Sequence, residues 1–263
     1  MTDYQLSNTV EYRARSHINI YDSPKCDRLA TQMAAGRHLR AIDPPQHSLS
    51  KGGRKIDFRS QLSLVKDGEN AEFDRAAVKV QLCEDDYPGW LNVRDIHLLD
   101  VTQTFYHPEL ISEAAIEQKL PDVIAFTREA MSQSNYYLWG GTIGPNYDCS
   151  GLMQAAFFAA GIWLPRDAYQ QEAFTKSINI SCLEPGDLVF FGTPQKATHV
   201  GLYLGNGCYI HSSGIEQGRN GIGIDFLSEN GDNVSQTYYR QLRGYGKVVA
   251  SYRGSFATAD GGG

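Results

Sequence analysis

The chain has 263 residues, of which 41% are apolar and 21% are charged. This length is sufficient for one large domain or two ordinary ones, and the composition predicts a packed core rather than general disorder. The formal net charge is -6, which argues against non-specific binding of nucleic acid, because domains that bind it in this way are strongly basic. We therefore expect no nucleic-acid partner.

The first residues, MTDYQLSNTVEY, include neither a basic segment nor an apolar one, so we expect no secretory signal. No apolar run approaches the roughly 18 residues of a membrane-spanning helix. These features predict a cytoplasmic protein without a membrane partner, and we separately expect a monomer. A processed precursor remains an alternative.

Residues 1–104 have the texture of an all-β domain. Short runs rich in β-formers, such as INIYDS at 18–23 and WLNV at 90–93, alternate with clusters of Gly, Pro and Asp. This pattern is typical of strands joined by tight turns and predicts a small β-barrel. The segment 51–75 is longer than such a barrel needs and has no assigned place.

The rest of the chain alternates helices and then strands. Residues 105–120 are interpreted as a linker with one helix, and Pro121 suits the first turn of another helix. The run SGLMQAAFFAA at 150–160 is apolar on nearly all sides, which predicts a buried helix. Strand-like runs follow, from DLVFF to GKVVASY at 246–252, and indicate an α+β domain over 121–253. Residues 254–263 are expected to be a disordered tail.

One of five cysteines precedes the buried helix. The odd, sparse set lacks CxxC spacing and predicts neither a disulfide framework nor a zinc site. Cys149 lies in the sequence Asp148-Cys149-Ser150-Gly151, at the start of the helix, where the helix dipole lowers the pKa of a thiol. A nucleophile and a buried structural cysteine are both compatible with this position.

Two histidines supply a base and a partner for it. His199 opens a strand, and His211 follows 12 residues later, beyond an Asn-Gly turn at 206–207 that predicts a hairpin. Pairing about this turn places the histidines nearly opposite each other, so His211 is able to orient His199 as a general base. Two unrelated histidines and a metal site are the alternatives. A metal site would need a third close ligand, and we expect no metal and no cofactor.

The C-terminal part of the chain resembles a known family. Residues 121–253 are similar to the NlpC-type cell-wall peptidases, which are papain-like. The matching motifs, in chain order, are YLWGG at 137–141, DCSG at 148–151, LEPGDL at 183–188, HVGLY at 199–203, and GNG at 205–207 with IHS at 210–212. The resemblance implies a catalytic triad of Cys149, His199 and His211, with Tyr137 beside the nucleophile as an oxyanion-hole donor.

The N-terminal region resembles, more loosely, a bacterial SH3-like barrel. The whole chain is similar to the γ-D-glutamyl-L-diamino acid endopeptidases, which cut after D-Glu in murein peptides with a free N-terminal L-Ala. The implied fold is α+β: a papain-like cysteine peptidase domain preceded by a small all-β SH3-like barrel. The implied substrate is a murein-derived peptide, and the implied role is recycling of wall fragments.

The resemblance also implies substrate contacts. Tyr87 and Asp148 are expected to hold the substrate's ammonium group, and Arg166 to bind a carboxylate of D-Glu or of the diamino acid. Asp167 is expected to receive polar groups of the same peptide, and Ser150 to cap the helix or contact the ligand. Alternatives for the whole protein are a non-catalytic peptidoglycan-binding protein and an amidase or acyltransferase that uses the same Cys–His pair.

Overall fold

The chain consists of two units, residues 1–107 and 108–263. The structure is a computed structural model, and it describes residues 10–42 and 77–254. Segment 51–75 and residues 255–263 of the predicted tail lie outside the described residues. No helix of the described ranges is both long enough and apolar enough to cross a membrane.

The N-terminal unit is an antiparallel sheet. Its seven described strands are β1 (Glu11–Ala14), β2 (Ile18–Tyr21), β3 (Leu29–Met33), β4 (His38–Ala41), β5 (Ala77–Leu82), β6 (Pro88–Asn92) and β7 (Leu99–Val101). They are ordered β3-β2-β6-β5-β4-β1-β7. Strand β5 alternates half-buried and buried side chains, because successive residues of a strand point to opposite faces. The all-β prediction is confirmed for residues 10–42 and 77–104, the part of this region that the structure describes, and the SH3-like character stays a prediction.

The C-terminal unit packs helices on a second antiparallel sheet. Its described helices are α1 (Glu113–Ser132), α2 (Cys149–Ala159), α3 (Ala168–Phe174) and α4 (Asn233–Tyr239). A short hairpin consists of β8 (Thr142–Ile143) and β9 (Asn146–Tyr147). The six-stranded sheet consists of β10 (Lys176–Ile178), β11 (Leu188–Gly192), β12 (Ala197–Gly205), β13 (Cys208–Ser213), β14 (Gly221–Phe226) and β15 (Leu242–Lys247). Their order in the sheet is β10-β15-β11-β12-β13-β14.

Helix α1 differs from the sequence prediction. Pro121 lies inside one continuous helix rather than in the first turn of a second one, so the predicted boundary at 121 falls within the helix. A proline inside a helix removes one backbone hydrogen bond. The helix nevertheless continues, because its apolar face does: Ile116 and Val123, on either side of Pro121, are both buried in the same core.

The last strand also differs from its prediction, since β15 ends at Lys247 and the expected strand covered 246–252. Beyond Lys247 the chain bonds to another segment: the Tyr252 N–H donates to the Trp163 carbonyl at 2.8 Å, and the Trp163 N–H donates to Ser251 Oγ at 2.9 Å. Val248 is buried, so apolar residues that resemble a strand in sequence serve here as packing.

Candidate active site

Cys149 is the first residue of α2, where the sequence predicts a helix N-terminus. Asp148 is the N-cap residue, and its Oδ1 accepts a hydrogen bond of 2.7 Å from the Gly151 N–H, which satisfies one of the unpaired amides of the first turn. The N–H of Val200, the residue after His199, also bonds to the Cys149 sulfur. This contact brings the cysteine beside the strand that carries the histidine.

The electrostatic setting of Cys149 is the reverse of the one predicted. Burial, and next the carboxylate of Asp148, raise the pKa of the Cys149 thiol to about 12, while hydrogen bonds from the Val200 and Ser150 amides oppose this shift. The expected lowering of the pKa by the helix dipole is therefore wrong in direction. Loss of hydration penalises the thiolate more than the helix N-terminus stabilises it.

His199 is buried on β12, and its ring faces two others. Its Nε2 lies 2.6 Å from Nδ1 of His211, and its ring stacks on Tyr238 with 4.2 Å between ring centroids. Burial, followed by the neighbouring His211, holds the pKa of His199 well below its usual value of 6.5. At neutral pH the site therefore holds a neutral thiol and a neutral imidazole.

The hairpin between β12 and β13 brings the two histidines together. Asn206 and Gly207 both have positive φ, at 53° and 75°, as a two-residue type I′ turn requires. The register pairs Leu202 with Ile210, so His211 is a diagonal neighbour of His199 on the same face of the sheet. The predicted hairpin is confirmed, with this diagonal offset in place of direct opposition.

A carboxylate that the sequence analysis did not single out continues the chain of contacts. Oδ2 of Asp225 lies 2.6 Å from Nε2 of His211, and Arg219 Nε donates to the same oxygen at 2.9 Å. Burial alone would raise the pKa of Asp225, but the hydrogen bonds from His211 and Arg219 outweigh it and hold that pKa below its usual value. The available signal was an acidic residue inside the apolar strand run IGIDF, next to the strand of His211.

Asp148 and Arg166, predicted as separate substrate contacts, are paired with each other. Arg166 Nη2 donates to Asp148 Oδ2 at 2.6 Å, and Nη1 donates to Asp148 Oδ1 at 3.1 Å and to Ser150 Oγ at 3.0 Å. The Arg166 side chain is only 1% exposed. Its guanidinium is thus bonded to Asp148 and Ser150 inside the unit, and its predicted contact with a substrate carboxylate stays a prediction.

The remaining predicted residues occupy distinct places. Ser150 is buried in the first turn of α2 and is not its cap, since Asp148 takes that role. Asp167 is the N-cap of α3, and its N–H donates to Gln170. Both positions are explained by local structure, and the predicted substrate contacts of Ser150 and Asp167 remain predictions.

Tyr137 and Tyr87 lie in different units. Tyr137 is half-buried, and burial, then the nearby Cys149, raise the pKa of its phenol, so the hydroxyl keeps its proton at neutral pH. Tyr87 lies in the N-terminal unit, in the turn between β5 and β6. Its N–H donates to Asp85 Oδ1 at 3.2 Å, and Asp85 pairs with the buried Arg37 at 2.9 Å. The predicted substrate contact of Tyr87 stays a prediction.

A cleft of about 480 Å³ opens at His199 within the C-terminal unit. Aromatic side chains of Tyr137, Trp139 and Tyr238 line it, together with the carboxylate-bearing Glu216. The sequence analysis assigned no site role to Trp139, Tyr238 or Glu216. Among the described residues, no group of three or more His, Cys, Asp or Glu is arranged to hold a metal ion.

Comparison with known proteins gives several relatives. The bifunctional muramidase/DL-endopeptidase CwlT of Bacillus subtilis is 48% identical over 135 residues, which is 49% of this chain and 41% of the relative. The gamma-D-glutamyl-L-lysine dipeptidyl-peptidase of Bacillus subtilis is 43% identical over 79 residues, 29% of this chain and 27% of the relative. The chain thus spans about a quarter to two fifths of the length of these curated relatives.

The chain is also similar to solved structures and to a protein family. An NlpC/P60 family protein from Bacillus cereus aligns at 20% identity and a TM-score of 0.44, over 92% of this chain and 64% of that one. Residues 134–243 match the NlpC/P60 family, and this range includes Tyr137, Cys149, His199, His211 and Asp225. Residues 134–243 of the C-terminal unit therefore match an NlpC/P60 family domain, and this unit has the mixed α+β architecture that was predicted.

Proposed function

We propose that this protein is a cysteine peptidase that cleaves the γ-D-Glu–diamino acid bond of murein peptides with a free N-terminal L-Ala. The observation that carries the proposal is the arrangement of Cys149, His199 and His211. The sulfur lies at a helix N-terminus against the Val200 amide, and the imidazole of the adjacent residue is hydrogen-bonded to a second imidazole at 2.6 Å. A nucleophile, its base and an orienting group form the pattern of nucleophilic catalysis.

The pKa directions indicate how the reaction starts. Because the pKa of Cys149 is raised and that of His199 is lowered, the resting pair is neutral. The proton of the thiol therefore moves to His199 as the sulfur attacks the γ-carbonyl carbon, and a tetrahedral oxyanion forms. The Tyr137 hydroxyl, which retains its proton, is a candidate donor to that oxyanion.

The cleft at His199 is the natural place for the leaving group. The imidazolium of His199 returns its proton to the departing amine, so the diamino acid must lie against this ring. Water, activated by the same imidazole, then hydrolyses the thioester and releases the L-Ala-D-Glu acyl group. A relative whose name includes gamma-D-glutamyl-L-lysine peptidase activity supports this choice of bond.

The proposal includes selectivity for substrate peptides whose N-terminal amine is free. Tyr87 and Asp148 were assigned to the ammonium group of the substrate. The Asp148 carboxylate already has Arg166 as a partner, so rejection of a blocked amine does not follow from an unpaired carboxylate alone. Tyr87 is therefore the more informative of the two residues for this selectivity.

The test uses mass spectrometry of L-Ala-γ-D-Glu-diaminopimelate and its lysine analogue, each with a free and an N-acetylated amine. We expect release of L-Ala-D-Glu from the free-amine peptides only. Equal cleavage of the acetylated forms would retain the peptidase and remove the amine selectivity. Binding without cleavage, or transfer of the acyl group to an added amine, would favour the binding-protein or acyltransferase alternative.

The matched variant is Cys149→Ala, with Cys208→Ala as the control at a half-buried cysteine of the same unit. Loss of the nucleophile is expected to lower kcat on the order of 10⁶-fold, whereas the control keeps full turnover. A Cys149→Ala protein that still cleaves the peptide would refute the mechanism. A role in recycling short murein peptides in the cytoplasm is part of the same proposal, and cell fractionation tests it.

A further inference from the structure

We propose that Asp225, held by Arg219, is a positioning residue that fixes the tautomers of His211 and His199, so that Nδ1 of His199 is the nitrogen that receives the thiol proton. The inference rests on the proposed peptidase function for its kinetic readout. Its structural basis is a continuous series of short contacts among buried groups, which is independent of any substrate.

The series runs across three neighbouring strands. His199 on β12 contacts His211 on β13 through Nε2 and Nδ1 at 2.6 Å, and His211 contacts Asp225 on β14 through Nε2 and Oδ2 at 2.6 Å. His211 is fully buried, and Asp225 is 1% exposed. His211 therefore uses both of its ring nitrogens and His199 uses only Nε2, so Nδ1 of His199 is the one nitrogen of the pair outside these two contacts.

The position of the protons follows from the ionised carboxylate. The pKa of Asp225 is lowered, so at neutral pH its oxygens only accept hydrogen bonds. The proton in the contact with Asp225 must then lie on Nε2 of His211, which leaves Nδ1 of His211 as an acceptor. That acceptor requires the proton of His199 to lie on Nε2, and Nδ1 of His199 then holds a lone pair.

Without the Asp225 carboxylate, the positions of the protons on the two imidazoles would no longer be fixed. An asparagine at 225 is able to donate as well as accept, so His211 is free to carry its proton on Nδ1 and donate it to Nε2 of His199. His199 would then carry its proton on Nδ1 and could not receive another from Cys149. Through the reaction Asp225 stays ionised, and it stabilises the imidazolium that forms when the thiol proton moves to His199.

Among the described residues, no other group that faces His211 fixes which of its ring nitrogens carries the proton. Tyr209 on β13 and Tyr238 on α4 face its ring, and burial raises the pKa of both phenols. The Tyr238 hydroxyl is bonded to Ser213 at 2.7 Å. Arg219 is cationic and pairs with Asp225, so Asp225 is the acceptor that sets the proton position.

Two glycines give the series its space. A Cβ atom on Gly201 would lie 3.3 Å from Cβ of His211 and 2.7 Å from the Tyr209 ring. Gly223 is paired directly with His211, and a Cβ there would lie 2.6 Å from Cζ of Arg219. The absence of a side chain at 223 therefore lets the guanidinium cross the strand and reach Asp225.

The kinetic experiment compares Asp225→Asn with Asp122→Asn, an exposed aspartate on α1 that loses the same charge. We expect Asp225→Asn to lower kcat about 10- to 100-fold, as loss of an outer-shell partner does in other sites, with KM changed less than about twofold. The acid limb of the kcat/KM profile should move to lower pH, because a negative charge that raised the basicity of the histidines is gone. Asp225→Glu should recover part of the loss, and Asp122→Asn should behave as wild type.

Two further readouts separate this inference from the proposed function. Long-range ¹H–¹⁵N NMR of the wild-type protein is expected to show the His211 proton on Nε2 and the His199 proton on Nε2. The rate of iodoacetamide alkylation at Cys149, localised by mass spectrometry, is expected to fall in Asp225→Asn. Both apply even if no murein peptide is cleaved, and the NMR readout, which uses the wild-type protein, applies even if the variant fails to fold. A wild-type His211 proton on Nδ1, or unchanged kcat, pH profile and alkylation in folded Asp225→Asn, would overturn the proposal.

Discussion

Two buried Asp–Arg pairs flank the proposed catalytic residues, and they differ in what the carboxylate contacts. Asp148, paired with Arg166, also accepts hydrogen bonds from the N–H groups of Gly140 and Gly151. Asp225, paired with Arg219, accepts from an imidazole instead.

The comparison shows that the surroundings of an ion pair decide its role. A carboxylate against backbone amides holds a loop and a helix start in place. A carboxylate against a histidine sets where a proton lies. We therefore expect the first pair to act mainly on stability and the second mainly on rate.

The largest expected effect is a loss of protein stability when the Asp148–Arg166 pair is broken. Arg166→Met leaves the Asp148 carboxylate buried without its cation, and breaking a buried pair in this way costs about 3–5 kcal/mol. The free energy of unfolding is measured by urea titration, with hydrogen exchange of peptides from residues 108–254 to report on the C-terminal unit.

The matched variant is Arg219→Met, in which the side chain removed is 26% exposed and Asp225 keeps His211 as a partner. Its expected cost is about 1 kcal/mol, together with a loss of rate. Equal destabilisation by the two substitutions would contradict the distinction between the pairs.

The pH dependence of stability is the next largest effect. Burial lowers the pKa of both His199 and His211 in the folded state, so the unfolded chain binds more protons than the folded one below about pH 6.5. Stability is therefore complete above that pH and falls as the pH decreases toward the folded-state values, by about 1.4 kcal/mol per pH unit for each histidine that stays neutral in the fold.

Thermal unfolding between about pH 5 and 7, where most carboxylates remain ionised, checks this slope. His199→Gln removes one of the two groups, so its slope should be smaller than that of the wild type. A wild-type slope of zero in this window would mean that the buried imidazoles protonate without cost.

The smallest effect expected is that of one methyl group. Gly223→Ala places a Cβ against the Arg219 guanidinium, which is the flexible end of a side chain and is able to move away. We expect about a tenfold loss of kcat, in line with weakened outer-shell support, and little change in unfolding free energy. Gly244→Ala on β15, where a Cβ meets no atom within 4 Å, is the control, and equal rates for the two variants would argue against a role for Arg219.

Much of the fold followed from periodicity and turn chemistry. The all-β N-terminal region, the buried helix after Asp148 and the hairpin at Asn206 were all predicted, because each depends on a short stretch of sequence. Pro121 shows the limit of such rules: it suits a helix start locally, but the apolar face of α1 continues across it. Packing of this apolar face in the core outweighed the local preference of Pro121 for a helix start.

The site was predictable where motifs mark it and less so where packing decides. The contact between His199 and His211 followed from the turn, whereas Asp225 depends on which strand pairs with β13. The pKa of Cys149 was predicted in the wrong direction because the degree of burial around a helix start is not visible in the sequence. The pairing of Arg166 with Asp148 joins residues 18 positions apart and has no periodic signal.

The two-residue turn at Asn206 and Gly207 has a consequence for insertions and deletions. Loops usually tolerate a change of length, since the cost of a longer closed loop grows slowly. Here a shift of one residue in register would turn His211 to the opposite face of the sheet and away from both His199 and Asp225. The length of this turn is therefore constrained as tightly as the identity of a reacting residue, and a scan of single-residue insertions along the chain should find an intolerant position at a surface turn.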